Sequence, residues 1–190
     1  MSVAAKDRLG RRLVAVTGLG LVTSLGRGVA ENWSALIAGR SGLKPITRFP
    51  TTGLRSTVAG VVDFMGPTEY SAFELSLAIA RDVAAQALAQ ARIGARGRFP
   101  GPLFIATPPS ELEWPHLAEL CQLTGQEAGP DVYARMARVV RDRRIDRFAN
   151  HTRFAALADL IAEDVGVTGM PISVCTACAS GVTAIQLGVE

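Results

Sequence analysis

Two of the three cysteines in this chain, Cys175 and Cys178, lie three residues apart in the run Ile172-Ser-Val-Cys-Thr-Ala-Cys-Ala-Ser-Gly181. Cys178 has only small neighbours, Ala177 before it and Ala179, Ser180 and Gly181 after it. A run of that kind lets a strand bend sharply into a helix without crowding. A thiol at such a bend sits at a helix N-terminus, where amides and the helix dipole favour a thiolate. The same amides can hold the oxyanion of a tetrahedral intermediate. Acyl transfer is the chemistry these residues suit, because thiolate attack on a thioester is a nearly isoenergetic exchange. Cys178 is therefore the candidate nucleophile. The plainer account is a small buried hydrophobe, which describes many free cysteines; in this frame of strand, bend and helix the nucleophile is the better reading.

Other constellations compete less well. Cys175-Thr-Ala-Cys178 is formally a C-x-x-C pair and could act as a dithiol. A redox pair, however, usually puts its first cysteine at the helix start, whereas here the first is expected within the strand. His116 and His151 are the only histidines, and neither has metal-ligand spacing from the cysteines, so no metal or other cofactor is expected. His116 follows Pro115 in an expected loop, and His151 sits at an expected helix start as a surface or capping residue. Thr17-Gly-Leu-Gly20 follows an apolar run as phosphate-binding glycines do, but the dinucleotide spacing needs glycine where Thr23 stands. Glycines for a tight strand-to-helix turn explain it better. Seven arginines, Arg135, Arg138, Arg141, Arg143, Arg144, Arg147 and Arg153, crowd one region against Asp142 and Asp146. Such a run is usually a solvated helix face; the alternative is a docking surface for an acidic protein.

The elements that must position Cys178 alternate between strand and helix. Leu13-Val-Ala-Val-Thr17 reads as a buried strand, and Glu31 to Ala38 as a short helix with Trp33, Leu36 and Ile37 on its apolar face, stopped by Gly39. Ser56 to Val62 is a strand candidate. Ser71-Ala-Phe-Glu74 is a capping box that opens a helix to about Arg92, apolar on more than one stripe and so sandwiched between layers. Gly101 to Ala106 reads as a second buried strand, ended by Pro108-Pro109. Glu111 to Pro130 has weak periodicity. Helices follow around Val132, Met136, Val139 and Val140, and from Thr152 to Asp164 with Phe154, Leu157, Ala158, Ile161 and Val165 inward and Gly166 as stop. Ile172 to Thr176 is the third buried strand, and Val182, Ile185, Gln186 and Val189 mark the helix after the cysteine. This alternation predicts a layered α/β domain.

Length and composition agree. At 190 residues, 48% apolar, the chain can bury a core as one domain. A net charge of +3 is too small an excess of base to mark nucleic-acid binding. The first dozen residues read as a flexible polar tail with no secretory pattern. No apolar run approaches the ~20 residues of a membrane helix. Three cysteines without an export signal point to a reducing, cytoplasmic compartment.

Ser173-Val-Cys-Thr-Ala-Cys-Ala-Ser-Gly181 resembles the nucleophile motif of the β-ketoacyl-acyl-carrier-protein synthases. Val14-Ala-Val-Thr-Gly-Leu-Gly-Leu-Val-Thr-Ser-Leu-Gly26, with Asn32-Trp33, Gly39-Arg-Ser-Gly42 and Ile46-Thr-Arg-Phe49, resembles the start of that family. The resemblance implies a thiolase-like fold of two duplicated halves in an αβαβα arrangement, acting as a homodimer in fatty-acid elongation. It implies that Cys178 accepts an acyl chain from acyl carrier protein, an acidic partner. Two histidines and a lysine of the second half would then promote decarboxylation of malonyl-acyl carrier protein, whose carbanion attacks the acyl-enzyme to give 3-oxoacyl-acyl carrier protein.

On this reading residues 13–190 are an N-terminal synthase domain truncated just after the nucleophile. Glu190 closes a helix without glycine, proline or a basic turn. The chain alone is then not expected to condense, and a catalytically inert product of the same fold is the alternative, with the dithiol protein behind it. Thr107-Pro-Pro-Ser-Glu-Leu-Glu-Trp114 departs from the glycine-rich stretch usual near the family's acyl pocket. It is similar to a branch associated with very long acyl chains for lipid A.

Overall fold

A computed structural model describes residues 5–11, 13–65, 71–94, 97–107, 112–124, 131–144 and 146–190. In chain order its elements are β1 (Val22–Thr23), β2 (Gly26–Arg27), α1 (Val29–Ile37), β3 (Leu43–Pro45), β4 (Val58–Gly60), α2 (Ala72–Ala91), β5 (Phe104–Ala106), α3 (Trp114–Thr124), α4 (Val132–Arg141), α5 (Ala149–Thr152), α6 (Ala156–Val165), β6 (Ile172–Val174) and α7 (Ser180–Val189). Single 3-10 turns precede α5 and α7.

The sheet that matters for the site is β5 with β6, parallel and in register, Phe104 opposite Ile172 and Ala106 opposite Val174. Side chains alternate across a strand, so the two faces meet different partners. On one, Leu103 and Ile105 pack against the buried cluster of Leu77 from α2 and Leu157 and Ile161 from α6. On the other, α7 lies along β5, close enough that a Cβ on Gly188 would stand 3.8 Å from the Phe104 ring. Helices thus cover both faces, as a parallel pair requires. The helical excursion from α3 to α6 connects β5 to β6 and supplies the crossover that parallel strands need.

Helix α2 is the backbone of the core. Ser71 Oγ accepts from the Glu74 amide at 3.1 Å, the N-cap half of the expected capping box. The helix runs to Ala91, and Arg92 stops it in the left-handed conformation. Arg81 Nε donates to Asp164 Oδ2 at 2.6 Å and ties α2 to α6. Gly166 ends α6 at φ +70, and a side chain there would also collide with the Gly97 carbonyl, so the sequence allows only glycine.

The amino-terminal region differs from its expectation. Residues 13–21 form no strand, and Leu13, Val14 and Val16 are exposed. A buried parallel strand needs neighbours for its amides, and this segment instead meets the side of α2. Gln90 Oε1 accepts from the Leu19 amide at 2.6 Å and Gln86 Oε1 from the Leu21 amide at 3.1 Å. Gly18 and Gly20 lie so close to the helix that a Cβ would fall 2.0 Å from the Ala87 carbonyl oxygen and 1.9 Å from that of Val83. These glycines serve close approach, and neither requires the left-handed region. The short hairpin of β1 and β2 follows.

Helix α1 is present where expected, with Gly39 at φ +64 beyond it, but its orientation is reversed. Trp33, Leu36 and Ile37 face outward, while Asn32 and Ala35 are buried. Asn32 explains this: Nδ2 donates to Gly26 O at 2.9 Å and Gly28 O at 2.7 Å, and its oxygen accepts from the Thr23 hydroxyl. A fully used amide side chain fixes the face more firmly than three apolar groups with nothing opposite them among the described residues.

Three further differences are local. Residues 114–124 fold as α3, so His116 is helical and not in a loop. Strands β5 and β6 are shorter than expected; β6 stops at Val174, leaving Cys175 outside it and exposed. Of the expected α4 stripe, Val139 is buried but Val140 faces out. Pro108 and Pro109, the expected strand stop, lie outside the described residues.

Candidate active site

The strand β6 delivers the chain to the carboxyl edge of the sheet, and the turn that follows is built by hydroxyls. Thr176 donates its amide to Ser180 Oγ at 2.8 Å, while Ser180 Oγ donates to the Ala177 carbonyl at 2.7 Å. Thr183 Oγ1 donates to the Ala179 carbonyl at 3.0 Å, which makes the Thr176 hydroxyl the donor in its 3.1 Å contact with Thr183 Oγ1. Three side chains from the Thr-Ala-Cys-Ala-Ser motif and the helix behind it therefore close one polar ring around the bend. Ser and Thr favour such local bonds over regular helix.

Inside that ring the backbone takes an unusual path. Ala177, immediately before the cysteine, has φ +51. The left-handed region costs a non-glycine residue roughly 1–2 kcal/mol, and here the ring of hydroxyls holds it. The consequence is a single 3-10 turn, Ala177–Ala179, that presents Cys178 exposed at the entry to α7. The smallness of Ala177 suits it to that conformation, whereas Gly181 has another position: a Cβ added there would meet nothing within 4 Å.

Around this turn the structure gathers some predicted residues and not others. Cys175 is also exposed, one residue past β6. At the end of β5, Thr107 donates its amide to the Val174 carbonyl at 3.2 Å, extending the pairing toward the cysteine turn. Thr107 Oγ1 and Ser173 Oγ are buried without hydrogen-bond partners among the described residues. The histidines stand elsewhere. Among the described residues no hydrogen bond or ring contact joins either to Cys178, and no group of three His, Cys, Asp or Glu side chains could hold a metal ion.

What the sequence did not reveal is that the two histidines meet. Their rings lie 4.4 Å apart, edge to face, with His151 also against Phe73 at 5.1 Å and His116 against Phe148 at 4.9 Å. Glu113 donates its amide to His116 Nδ1 at 3.3 Å, and its carboxylate accepts from the Ala72 amide at the start of α2. His151, half-buried, is held below the ordinary histidine range chiefly by burial and then by His116 beside it, against a smaller opposing pull from Glu113 and Glu74. Thirty-five positions separate the two residues, and no local pattern announces the pair; only the fold of α3 against α5 makes it.

Comparison with known proteins agrees with this architecture. Residues 11–96 match the family model described as "Beta-ketoacyl synthase, N-terminal domain". Over that stretch, a little under half of the chain, it is similar to the N-terminal region of the β-ketoacyl synthases. It is 46% identical over 57 residues to 3-oxoacyl-[acyl-carrier-protein] synthase 2 of Coxiella burnetii, a match spanning 30% of this chain and 14% of that protein. It is 50% identical over 50 residues to the putative mitochondrial 3-oxoacyl-[acyl-carrier-protein] synthase of Schizosaccharomyces pombe, 26% of this chain and 12% of that one.

Among solved structures, a type II polyketide ketosynthase in complex with its acyl-carrier protein superposes with TM-score 0.61 and 26% identity. That likeness covers 92% of this chain and 40% of that chain. The ishigamide ketosynthase/chain length factor gives TM-score 0.56 at 26% identity, over 92% and 42%. The fold is thus the α/β, thiolase-like fold of the condensing enzymes, and the chain spans well under half the length of these relatives. The Cys178 turn lies beyond the residues that the family model matches.

Proposed function

We propose that this chain carries the acyl-accepting half of a β-ketoacyl-acyl-carrier-protein synthase, with Cys178 as nucleophile. The observation that carries the reading is the strained turn: a left-handed Ala177 braced by Thr176, Ser180 and Thr183 presents an exposed cysteine where a strand enters a helix. Strain of that kind persists where surrounding structure over-determines it, and it gathers at functional sites. Similarity to the condensing enzymes supports the same chemistry.

In the step proposed, the Cys178 sulfur attacks the carbonyl carbon of an acyl thioester. A tetrahedral oxyanion forms, with the Cys178 amide as one donor. The carbon–sulfur bond to the carrier then breaks, the carrier thiol leaves with a proton, and the acyl group remains on Cys178. Completing the condensation needs loss of carbon dioxide from malonyl-acyl carrier protein and attack of its carbanion on the acyl-enzyme. The described residues bring no histidine or lysine to Cys178 for that step, so residues 13–190 act as an N-terminal synthase domain whose full activity needs a C-terminal half. A cytoplasmic homodimer that takes its substrates from acyl carrier protein, in fatty-acid biosynthesis, completes the proposal.

The test follows the leaving group. Mixed with acyl-carrier thioester, the wild-type chain should release one free carrier thiol per Cys178 in a single burst and then stop. The Cys178→Ala variant should release none. A burst unchanged in that variant would defeat the proposal, and no burst in the wild type would favour an inert protein of the same fold. Formation of a Cys175–Cys178 disulfide with mild oxidant, without any burst, would favour the dithiol reading.

A further inference from the structure

The chemistry proposed at Cys178 uses neither histidine, yet both belong to a closed ring of contacts. Glu113, just before α3, accepts from the Ala72 amide at the start of α2 through one carboxylate oxygen. Its own amide donates to His116 Nδ1 at 3.3 Å. The His116 ring meets His151 of α5 edge to face at 4.4 Å, and His151 returns to α2 through the Phe73 ring at 5.1 Å. Ala72 and Phe73 are neighbours, so the ring ties the first turn of α2 to α3 and α5 at once. Helix α3 otherwise lies principally against α4, where Arg135 Nε donates to the Thr124 carbonyl at 2.7 Å.

The ring closes only with neutral imidazoles. A neutral histidine has one donor and one acceptor nitrogen, whereas an imidazolium has two donors. His116 Nδ1 is an acceptor here, so a proton added to it would face the Glu113 N–H and break that bond. His151 Nδ1 is buried without a partner among the described residues, so a charged ring would leave a donor there unsatisfied. Two imidazolium rings at this separation, partly out of water, would also repel each other. The acidic groups facing His151 are Glu113 and Glu74; their pull on a proton is outweighed by burial and by His116, which hold His151 below the ordinary histidine range. Other charges on the adjoining elements are engaged elsewhere. Arg147, over the Phe148 ring, pairs with Glu119 of α3, Arg153 pairs with Asp159 of α6 at 2.9 Å, and Arg48 donates to the Ser71 carbonyl at 3.3 Å.

We infer that the His116–His151 pair is a proton-operated latch: neutral, it holds α3 and α5 on the first turn of α2, and protonated, it releases them while the β5–β6 core stays folded. Release breaks the Glu113–His116 hydrogen bond and the contact between the two rings, and α4 moves with α3. The core keeps its own ties. Phe73 packs against the cluster of Leu77, Leu157 and Ile161, and the Arg81–Asp164 pair holds α2 to α6 without either histidine. The segment that opens leaves the sheet at the carboxyl end of β5, the edge on which the Cys178 turn also stands. Acid therefore loosens the border of that edge and not its frame.

Amide hydrogen exchange resolves local opening from global unfolding. Exchange of the full 190-residue chain is followed at about pH 7.5 and about pH 5.5, on either side of the ordinary histidine value of about 6.5, with rates corrected for the pH dependence of the free amide. Protection in α3 and α5 should fall by about tenfold or more at the lower pH, while that of β5, α6 and the middle of α2 is kept. Two variants remove the proton site in different ways. His151→Phe keeps an aromatic ring against Phe73, and His116→Asn keeps an oxygen that can accept from the Glu113 amide. Each should hold α3 and α5 protected at both pH values. Equal protection of α3 and α5 at the two pH values in the wild type overturns the inference. So does a loss that runs in parallel through β5 and α6, which would be global acid unfolding. A loss at low pH that persists in both variants would assign the effect to carboxylates and overturn it as well. The wild-type comparison of α3 and α5 with the core decides the matter even where a variant fails to fold.

Discussion

At the scale of single residues, the turn before Cys178 concentrates the most consequence in the fewest atoms. Ala177 holds a left-handed φ that a β-branched residue resists. Ala177→Val should therefore displace the nucleophile, lowering the acylation rate by at least about tenfold, the loss that 1.4 kcal/mol corresponds to, with little loss of helicity by circular dichroism. Ser180→Ala removes both an acceptor and a donor from the ring and should slow acylation with the fold retained.

The histidine pair gives a separate prediction. Because burial holds His151 below the ordinary value of about 6.5, the unfolded chain binds the proton more readily than the folded one. Its contribution to stability is therefore fully present above about pH 6.5 and is lost as pH falls from there through the depressed folded value. Thermal melts from pH 7.5 to 5 should show a falling Tm, and His151→Phe should flatten that part of the profile. The residue types of the site were legible in the sequence, because the Ala-Cys-Ala-Ser frame has a steric meaning. The ring of hydroxyls and the left-handed Ala177 were not, since each depends on three-dimensional closure and alanine gives no sign of positive φ.

At the scale of elements, local signals performed best where the chemistry is local. The Ser71 N-cap, the glycine stops at Gly39 and Gly166, and the inward Leu157, Ala158 and Ile161 of α6 each follow from neighbours in sequence and are where expected, whereas Phe154, expected inward on the same helix, precedes α6 and is exposed. Expectations failed where the partner is distant. Leu13 to Thr17 has strand composition, yet its glycine-rich continuation is drawn onto the side of α2 by Gln86 and Gln90. Helix α1 turns its tryptophan outward because Asn32 is satisfied inward. Asn32→Ala should accordingly cost about 1–3 kcal/mol, since it removes the side-chain hydrogen bonds to the Gly26 and Gly28 carbonyls and to the Thr23 hydroxyl, measurable by urea unfolding. Trp33→Ala, by contrast, should be nearly silent in the isolated chain. Ile161→Ala opens the α2–α6 core and should cost about 2–5 kcal/mol.

At the scale of the whole molecule, the parallel pair β5–β6 with helices on both faces is the frame on which everything else hangs. It sets Cys178 at the carboxyl edge, with α7 behind it and α2 and α6 beneath. Alternation of strand and helix made the α/β class legible, because a parallel pair cannot be joined without a crossover. The apolar side chains Val182 and Ile185, which mark α7 in the sequence, are exposed in this chain. Sequence patterning reports which face wants cover, not which element supplies it.

The central claim is that the Cys178 turn accepts an acyl group, and one measurement addresses it directly. After incubation with acyl-carrier thioester, tandem mass spectrometry of the tryptic peptide 154–190, which holds both Cys175 and Cys178, locates the acyl mass on one sulfur or the other. Acylation confined to Cys178, and lost in Cys178→Ala but kept in Cys175→Ala, is the predicted result. An acyl group found on Cys175, or none on either cysteine, would contradict the account.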